Sequence, residues 1–193
     1  NWGLMNYTNN ASDNCSFQFY ALTAAEATSE SAIGNVEMKQ RYTETGMGNK
    51  NHSVAYAVVG VEGLAGQAQL KSLDISFNET TNINAIKKLN VYVTGSDTKV
   101  NEAQHTIIAT LDNPTSATQT YTIILPEPYT LTTGSTNFHF AVDVAEAGSA
   151  NEGDKLVVNL NKLTYTNGTD RDYVPAVKKA PYPSTVFLVQ SAV

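Results

Sequence analysis

Short runs of alternating apolar and polar residues repeat along most of this chain. Leu73, Ile75 and Phe77 alternate with polar residues, and the stretch NFHFAVDV (137–144) keeps the same period of two. Such runs are typical of strands with one buried face, and most of them are bounded by turn residues. The strands predicted in this way are 16–22, 35–42, 53–61, 72–77, 86–94, 105–111, 120–125, 137–144, 155–165 and 184–192.

These roughly ten short strands, with no convincing amphipathic helix between them, predict an all-β fold. Each sheet has to bury one face against another sheet. The expected architecture is therefore an antiparallel β-sandwich, jelly-roll-like, with a barrel as the open alternative. In the stretch IKKLNVYVT (86–94), we expect Leu89, Val91 and Val93 to pack inward. Gly95, in the turn that follows, is expected to adopt a positive φ.

The charge of the chain narrows its classes of partner. Twelve basic and eighteen acidic residues give a net charge of −6, and the basic residues form no cluster larger than a pair. Phosphate backbones and anionic membranes attract basic surfaces, so we expect no nucleic acid partner. No apolar run reaches the roughly 18 residues of a spanning helix, so we expect no membrane insertion.

Groups with catalytic potential are sparse. The chain has no G-x-S-x-G motif, and Cys15 is its single cysteine. His52, His105 and His139 stand in unrelated sequence contexts. Because nucleophilic catalysis needs a nucleophile beside a base that a third group holds, no catalytic residue is assigned.

Carboxylates in two loops could provide oxygen ligands to a metal ion. Asp170 and Asp172 flank Arg171, and further acidic residues surround the turn AEAGSANEG (145–153). Calcium prefers oxygen ligands, so Asp170 and Asp172 are the candidate calcium ligands. The alternative is that they are solvated loop carboxylates of an acidic protein. No motif requires a cofactor.

Three tyrosines in proline-bearing loops are the candidate glycan-binding residues. They are Tyr129, beside Pro128, and the pair Tyr173 and Tyr182. Aromatic rings at loop tips can stack on the apolar faces of sugars. The alternative is that these rings cover the ends of the sandwich with their hydroxyls in water.

Three segments, taken in order, resemble one protein family. They are QLKSLDISF (69–77), TTNINAIKKLNVYVTGSDTKV (80–100) and LTTGSTNFHFAVDVAEAGSANEGDKL (131–156). Their order and spacing resemble the N-terminal domain associated with BNR-repeat neuraminidases (sialidases) of bacteria. The chain departs from the family's pattern at Val100, Thr136, Asn137 and His139.

The resemblance implies a β-sandwich that precedes a sialidase propeller in an exported protein, which would be extracellular, on the cell surface or periplasmic. It assigns residues 53–193 to this domain, with 174–193 as a possible linker to the propeller and 1–52 as strands added to the same sandwich. The implied partners are the C-terminal propeller of the same polypeptide and sialylated host glycans.

The catalytic residues of such a sialidase are not expected in this chain. Sialidases of the family hold the substrate carboxylate with three arginines, whereas this chain has only Arg41 and Arg171. Lysine does not replace the bidentate guanidinium at equal strength. The expected function is a non-catalytic accessory domain that positions the propeller and binds glycan. The alternative is a ligand-free structural or protein-interaction sandwich.

Overall fold

The computed structural model describes residues 5–8, 16–19, 31–63, 68–167, 172–179 and 185–189. They form β-strands and one short 3-10 helix, η1 (Ile83–Ala85), so the all-β prediction is confirmed. No helix in these segments is long and apolar enough to cross a membrane. The strands are β1 (Met5–Thr8), β2 (Ser16–Phe19), β3 (Ala32–Gln40), β4 (Tyr42–Gly46), β5 (His52–Glu62), β6 (Ala68–Ser76), β7 (Ile86–Val93), β8 (Thr106–Asp112), β9 (Tyr121–Leu131), β10 (Gly134–Val144), β11 (Lys155–Leu156), β12 (Asn159–Thr166), β13 (Val177–Lys178) and β14 (Thr185–Val189).

Two large sheets carry most of these strands. The first has six strands in the order β13-β3-β5-β10-β7-β8, and the second has three in the order β12-β6-β9. Two further sheets, made of shorter strands, have the orders β11-β14-β4 and β1-β2. Most neighbours are antiparallel, whereas β13 pairs with β3, and β14 with β4, in parallel.

The inward faces of the two large sheets meet in one core. Phe138 and Phe140 of β10 are buried, as are Leu89 and Val91 of β7, which confirms the faces predicted from the alternation. Tyr129 of β9 packs edge-on against Phe138, with ring centroids 6.1 Å apart. This contact joins the two sheets, and the arrangement is the predicted antiparallel sandwich.

The six-stranded sheet is also covered at the centre of its outer face. The strand registers place Lys39, Tyr56, His139 and Tyr92 in one row across β3, β5, β10 and β7. His139 is 0% exposed and Tyr92 is 2% exposed. Residues 97–105, called the flap below, contact this row, and Gly95 before them has the predicted positive φ, 59°.

The edge strand β9 extends past its predicted end at residue 125. Its register with β6 jumps from Tyr129 opposite Leu70 to Ile124 opposite Ser72. The irregular segment between them contains Pro126 and Pro128, which have no backbone N–H to donate to a ladder. The predicted strand was too short because it was ended at Pro126. Proline ends a central strand but is tolerated at an edge or a bulge.

We expect Leu89→Ala to lower the free energy of unfolding by about 2–5 kcal/mol, because it removes a fully buried side chain and leaves a cavity. Ile124→Ala is the matched control, since Ile124 is 75% exposed on β9. Its expected loss is below about 1 kcal/mol. Equal losses in urea unfolding would contradict the assignment of Leu89 to the core.

Candidate functional site

A polar cleft of about 560 Å³ lies where three loops meet at one end of the sandwich. The loops precede β7, follow β8 and follow β10. Its lining is mostly carboxamide and hydroxyl side chains, with two apolar residues, Ile86 and Pro114. We call it the asparagine cleft, and its lining residues are Asn82, Asn84, Ile86, Lys87, Asn113, Pro114, Thr115, Gly148, Ser149 and Asn151.

Asn82 joins two of these loops. Its Nδ2 donates to the carbonyl oxygen of Ser149 at 2.9 Å and to Oδ2 of Asp154 at 2.7 Å. Its Oδ1 accepts from the backbone N–H of Asn84, which caps η1. The same Asp154 oxygen accepts from the backbone N–H of Asn151. One side chain therefore fixes both the start of β7 and the loop after β10.

Three other carboxamides face the cleft without such a role. Within the described residues, the side chains of Asn84, Asn113 and Asn151 form no hydrogen bond, although their backbones do. Asn113 adopts φ 44°, which asparagine tolerates better than most residues, and its N–H donates to the carbonyl oxygen of Lys87 at 2.7 Å. Each carboxamide has donors and an acceptor to offer a ligand.

A second cleft, of about 740 Å³, is lined by Asn51 and the flap. It is larger, but most of its polar side chains bond to each other. Asp97 pairs with His105 at 3.1 Å, Glu102 accepts from Asn51 at 2.9 Å, and Asn101 donates to Gln104 at 2.9 Å. We therefore take the asparagine cleft as the candidate site.

His139 has a structural role beneath the flap. Its Nε2 lies 3.3 Å from the carbonyl oxygen of Asp97, which can only accept, so Nε2 carries the proton. Its Nδ1 then accepts from the Ser53 hydroxyl at 2.9 Å. The ring stacks on Tyr56, with centroids 4.8 Å apart. Burial lowers the pKa of His139 to about 4, so the imidazole is neutral at pH 7.

The structure does not bring the described predicted tyrosines together. Tyr129 is half-buried against Phe138, and Tyr173 is half-buried with its ring stacked on Tyr165 at 5.4 Å. The registers place both in one row with Leu70 and Tyr165 between them, so they lie about 14 Å apart. Tyr182 lies outside the described residues, and a glycan-binding role for the three remains a prediction.

The predicted calcium loop is described only in part. Asp172 is exposed and its Oδ1 lies 2.6 Å from Nζ of Lys71, while Asp170 is outside the described residues. In the described segments, no group of three or more His, Cys, Asp or Glu side chains is arranged to hold a metal ion. Calcium binding at these aspartates remains a prediction.

Comparisons with solved structures give a likeness in fold. No family model and no curated protein matches the chain. Among solved structures, Hadza microbial sialidase Hz136 matches with a TM-score of 0.52 and 11% identity, over 74% of this chain and 31% of the sialidase chain. The likeness shows a shared fold, and this chain corresponds to about a third of that sialidase's length.

A second solved structure aligns less well. It is the CssB subunit of enterotoxigenic Escherichia coli colonization factor CS6, complemented with a donor strand from the CssA subunit. The TM-score is 0.34 at 11% identity, over 83% of this chain and all of the subunit.

Asn82→Ala is expected to lower the free energy of unfolding by about 1–3 kcal/mol, because it removes three hydrogen bonds, one of them to the half-buried carboxylate of Asp154. Asn84→Ala is the matched control. It removes a carboxamide from the same turn, and this carboxamide forms no hydrogen bond within the described residues. Its expected effect is within about 0.5 kcal/mol. Similar losses for the two variants in urea unfolding would show that Asn82 does not join the loops.

Acid is expected to destabilise the fold through His139. An unfolded histidine titrates near pH 6.5, whereas the folded pKa is about 4, so the unfolded state binds the extra proton between these values. The free energy of unfolding therefore falls as the pH falls through this window, by up to about 3 kcal/mol. His52, whose pKa burial also lowers, acts with the same sign.

Urea unfolding between about pH 7 and about pH 4.5 measures this dependence. His139→Gln is the control, because the amide can keep both hydrogen bonds of the imidazole but does not titrate. The variant is expected to lose less stability with acid. The same slope in both proteins would mean that His139 is not the titrating group.

Proposed function

We propose that this chain is a non-catalytic accessory domain of an exported sialidase-like glycoside hydrolase, and that it binds glycan through the asparagine cleft. In this proposal the domain holds a catalytic propeller of the same polypeptide near its substrate. Binding to a host glycan would raise the effective substrate concentration at the attached catalytic domain.

The observation that carries the proposal is the set of unbonded carboxamides in the asparagine cleft. Asn84, Asn113 and Asn151 belong to three loops that are held in place independently of any ligand. Sugar hydroxyls both donate and accept hydrogen bonds, and a carboxamide matches both roles. A preformed cleft also avoids the entropy cost of ordering loops on binding.

The composition of the cleft supports a binding role over a catalytic one. None of its lining residues is Asp or Glu. Glycoside hydrolysis uses a pair of carboxyl groups on either side of the scissile bond, and the cleft offers none. The fold likeness to about a third of a sialidase chain also supports an accessory rather than a catalytic part.

A second candidate function, a protein-interaction sandwich, is favoured by an apolar seam between β8 and β9. Ile107 is 42% exposed and Ile124 is 75% exposed, and both line a groove with Pro126 and neighbouring apolar residues. Large exposed aliphatic side chains side by side are typical of surfaces that contact another protein. In this alternative the sandwich would be a structural spacer without a ligand.

The glycan proposal is tested with the isolated chain on an array of neutral and acidic glycans, with and without calcium. Bound glycans are then titrated by calorimetry. The variant Asn113→Gly/Asn151→Ala is expected to bind about tenfold more weakly, since it removes two neutral hydrogen-bonding groups. Glycine is used at position 113 because it keeps the positive φ without strain. Dependence on calcium would support a metal at the predicted aspartates.

The matched control is Asn161→Ala, an exposed asparagine on β12, in the other large sheet. It is expected to bind as the unchanged chain does. Equal weakening by the control and the cleft variant would remove the cleft as the binding site. No binding to any glycan would reject the glycan function and favour the spacer.

A further inference from the structure

Lys87 is placed in the asparagine cleft by an irregularity in β7. Along the pairing of β7 with β10, Lys88 lies opposite Asp143 and Ile86 lies opposite Val144, so Lys87 is the extra residue of a β-bulge. Bulges redirect a side chain away from the alternation of the strand. The carbonyl oxygen of Lys87 accepts from Asn113, so the lysine is held next to one of the unbonded carboxamides.

Lys87 differs from its neighbour Lys88 in its electrostatic surroundings. The ammonium of Lys88 lies 3.1 Å from a carboxylate oxygen of Asp112. No ion pair joins Lys87 to a carboxylate in the described residues, and its side chain is exposed. Lys87 is also the one charged side chain that lines the cleft.

One carboxylate hydrogen-bonds to lining residues of the cleft. Asp154 accepts from Asn82 and from the backbone N–H of Asn151, and it does not line the cleft. The cleft therefore presents one ammonium and several amide and hydroxyl groups, with no opposing carboxylate. An anionic group on a ligand would find a cation there and hydrogen-bond donors beside it.

We propose that the asparagine cleft selects sugars that carry an acidic group, and that Lys87 binds this group while Asn113 and Asn151 bind ring hydroxyls. This inference rests on the proposed glycan function. Lysine is a point charge without the planar fork of arginine, so a carboxylate and a sulfate ester are equally suitable partners. The shared chemistry is an anionic sugar, and the experiment separates the two sources.

The test uses the whole 193-residue chain and glycans that share one neutral core. The core is compared with its carboxylate-bearing form, its sulfated form and the primary amide of the carboxylate form. Both anionic forms, or one of them, are expected to bind about ten- to hundredfold more tightly than the core and the amide, as is usual for a charge-assisted hydrogen bond. Which form binds identifies the anion.

Lys87→Met is expected to remove this preference while leaving weak binding of the neutral core. Lys88→Met is the matched control, because it removes the adjacent lysine, which is paired with Asp112, and it is expected to keep the preference. Thermal unfolding checks that both variants fold. If Lys87→Met unfolds, Lys87→Gln replaces it.

The outcomes separate this inference from the function on which it rests. Equal binding of neutral and anionic forms, or an unchanged preference in Lys87→Met, would overturn the anionic selectivity and leave glycan binding intact. Loss of the preference in both lysine variants would also overturn the role of Lys87. No binding of any form would reject both proposals.

Discussion

The structure depends on the burial of both faces of the central strand β10. A strand with one solvent-exposed face can leave polar side chains in water, but on β10 the polar side chains of Asn137 and His139 are buried. Buried polar groups without partners are costly, so each must find one inside the protein. Both donate to the carbonyl oxygen of Asp97, and this requirement holds the flap against the sheet.

The same strand also influences the loops of the asparagine cleft. Where β10 ends, its register with β7 slips by one residue, and Lys87 leaves the ladder there. Asn82 then fixes the loop before β7 to the loop after β10, so the polar cleft needs no ligand to hold its shape. Rigidly paired strands are thus joined directly to loops that carry polar side chains, which is a common arrangement for binding sites.

Local alternation was enough to predict an all-β fold with buried sheet faces, because inward residues such as Val91 and Phe140 follow the period of two. It could not separate a sandwich from a barrel, since both have this period. The cleft was not predictable in this way, since its asparagines come from loops that only the tertiary fold brings together. Tyr129 was a candidate because of its proline neighbour, whereas its packing partner Phe138 is on another strand. The bulge at Lys87 did leave a signal in the sequence. Between Ile86 and Leu89 there are two residues where strict alternation allows one, and an extra residue of this kind is the pattern of a β-bulge.

The prolines of β9 affect how copies of this protein behave when they are crowded together. An exposed sheet edge with apolar side chains is a template on which a strand of another molecule can add, and repeated addition leads to fibres or amorphous aggregates. Pro126 and Pro128 interrupt the row of donors beside the exposed Ile124. The apolar seam can therefore stay open at the surface without starting strand-by-strand polymerisation.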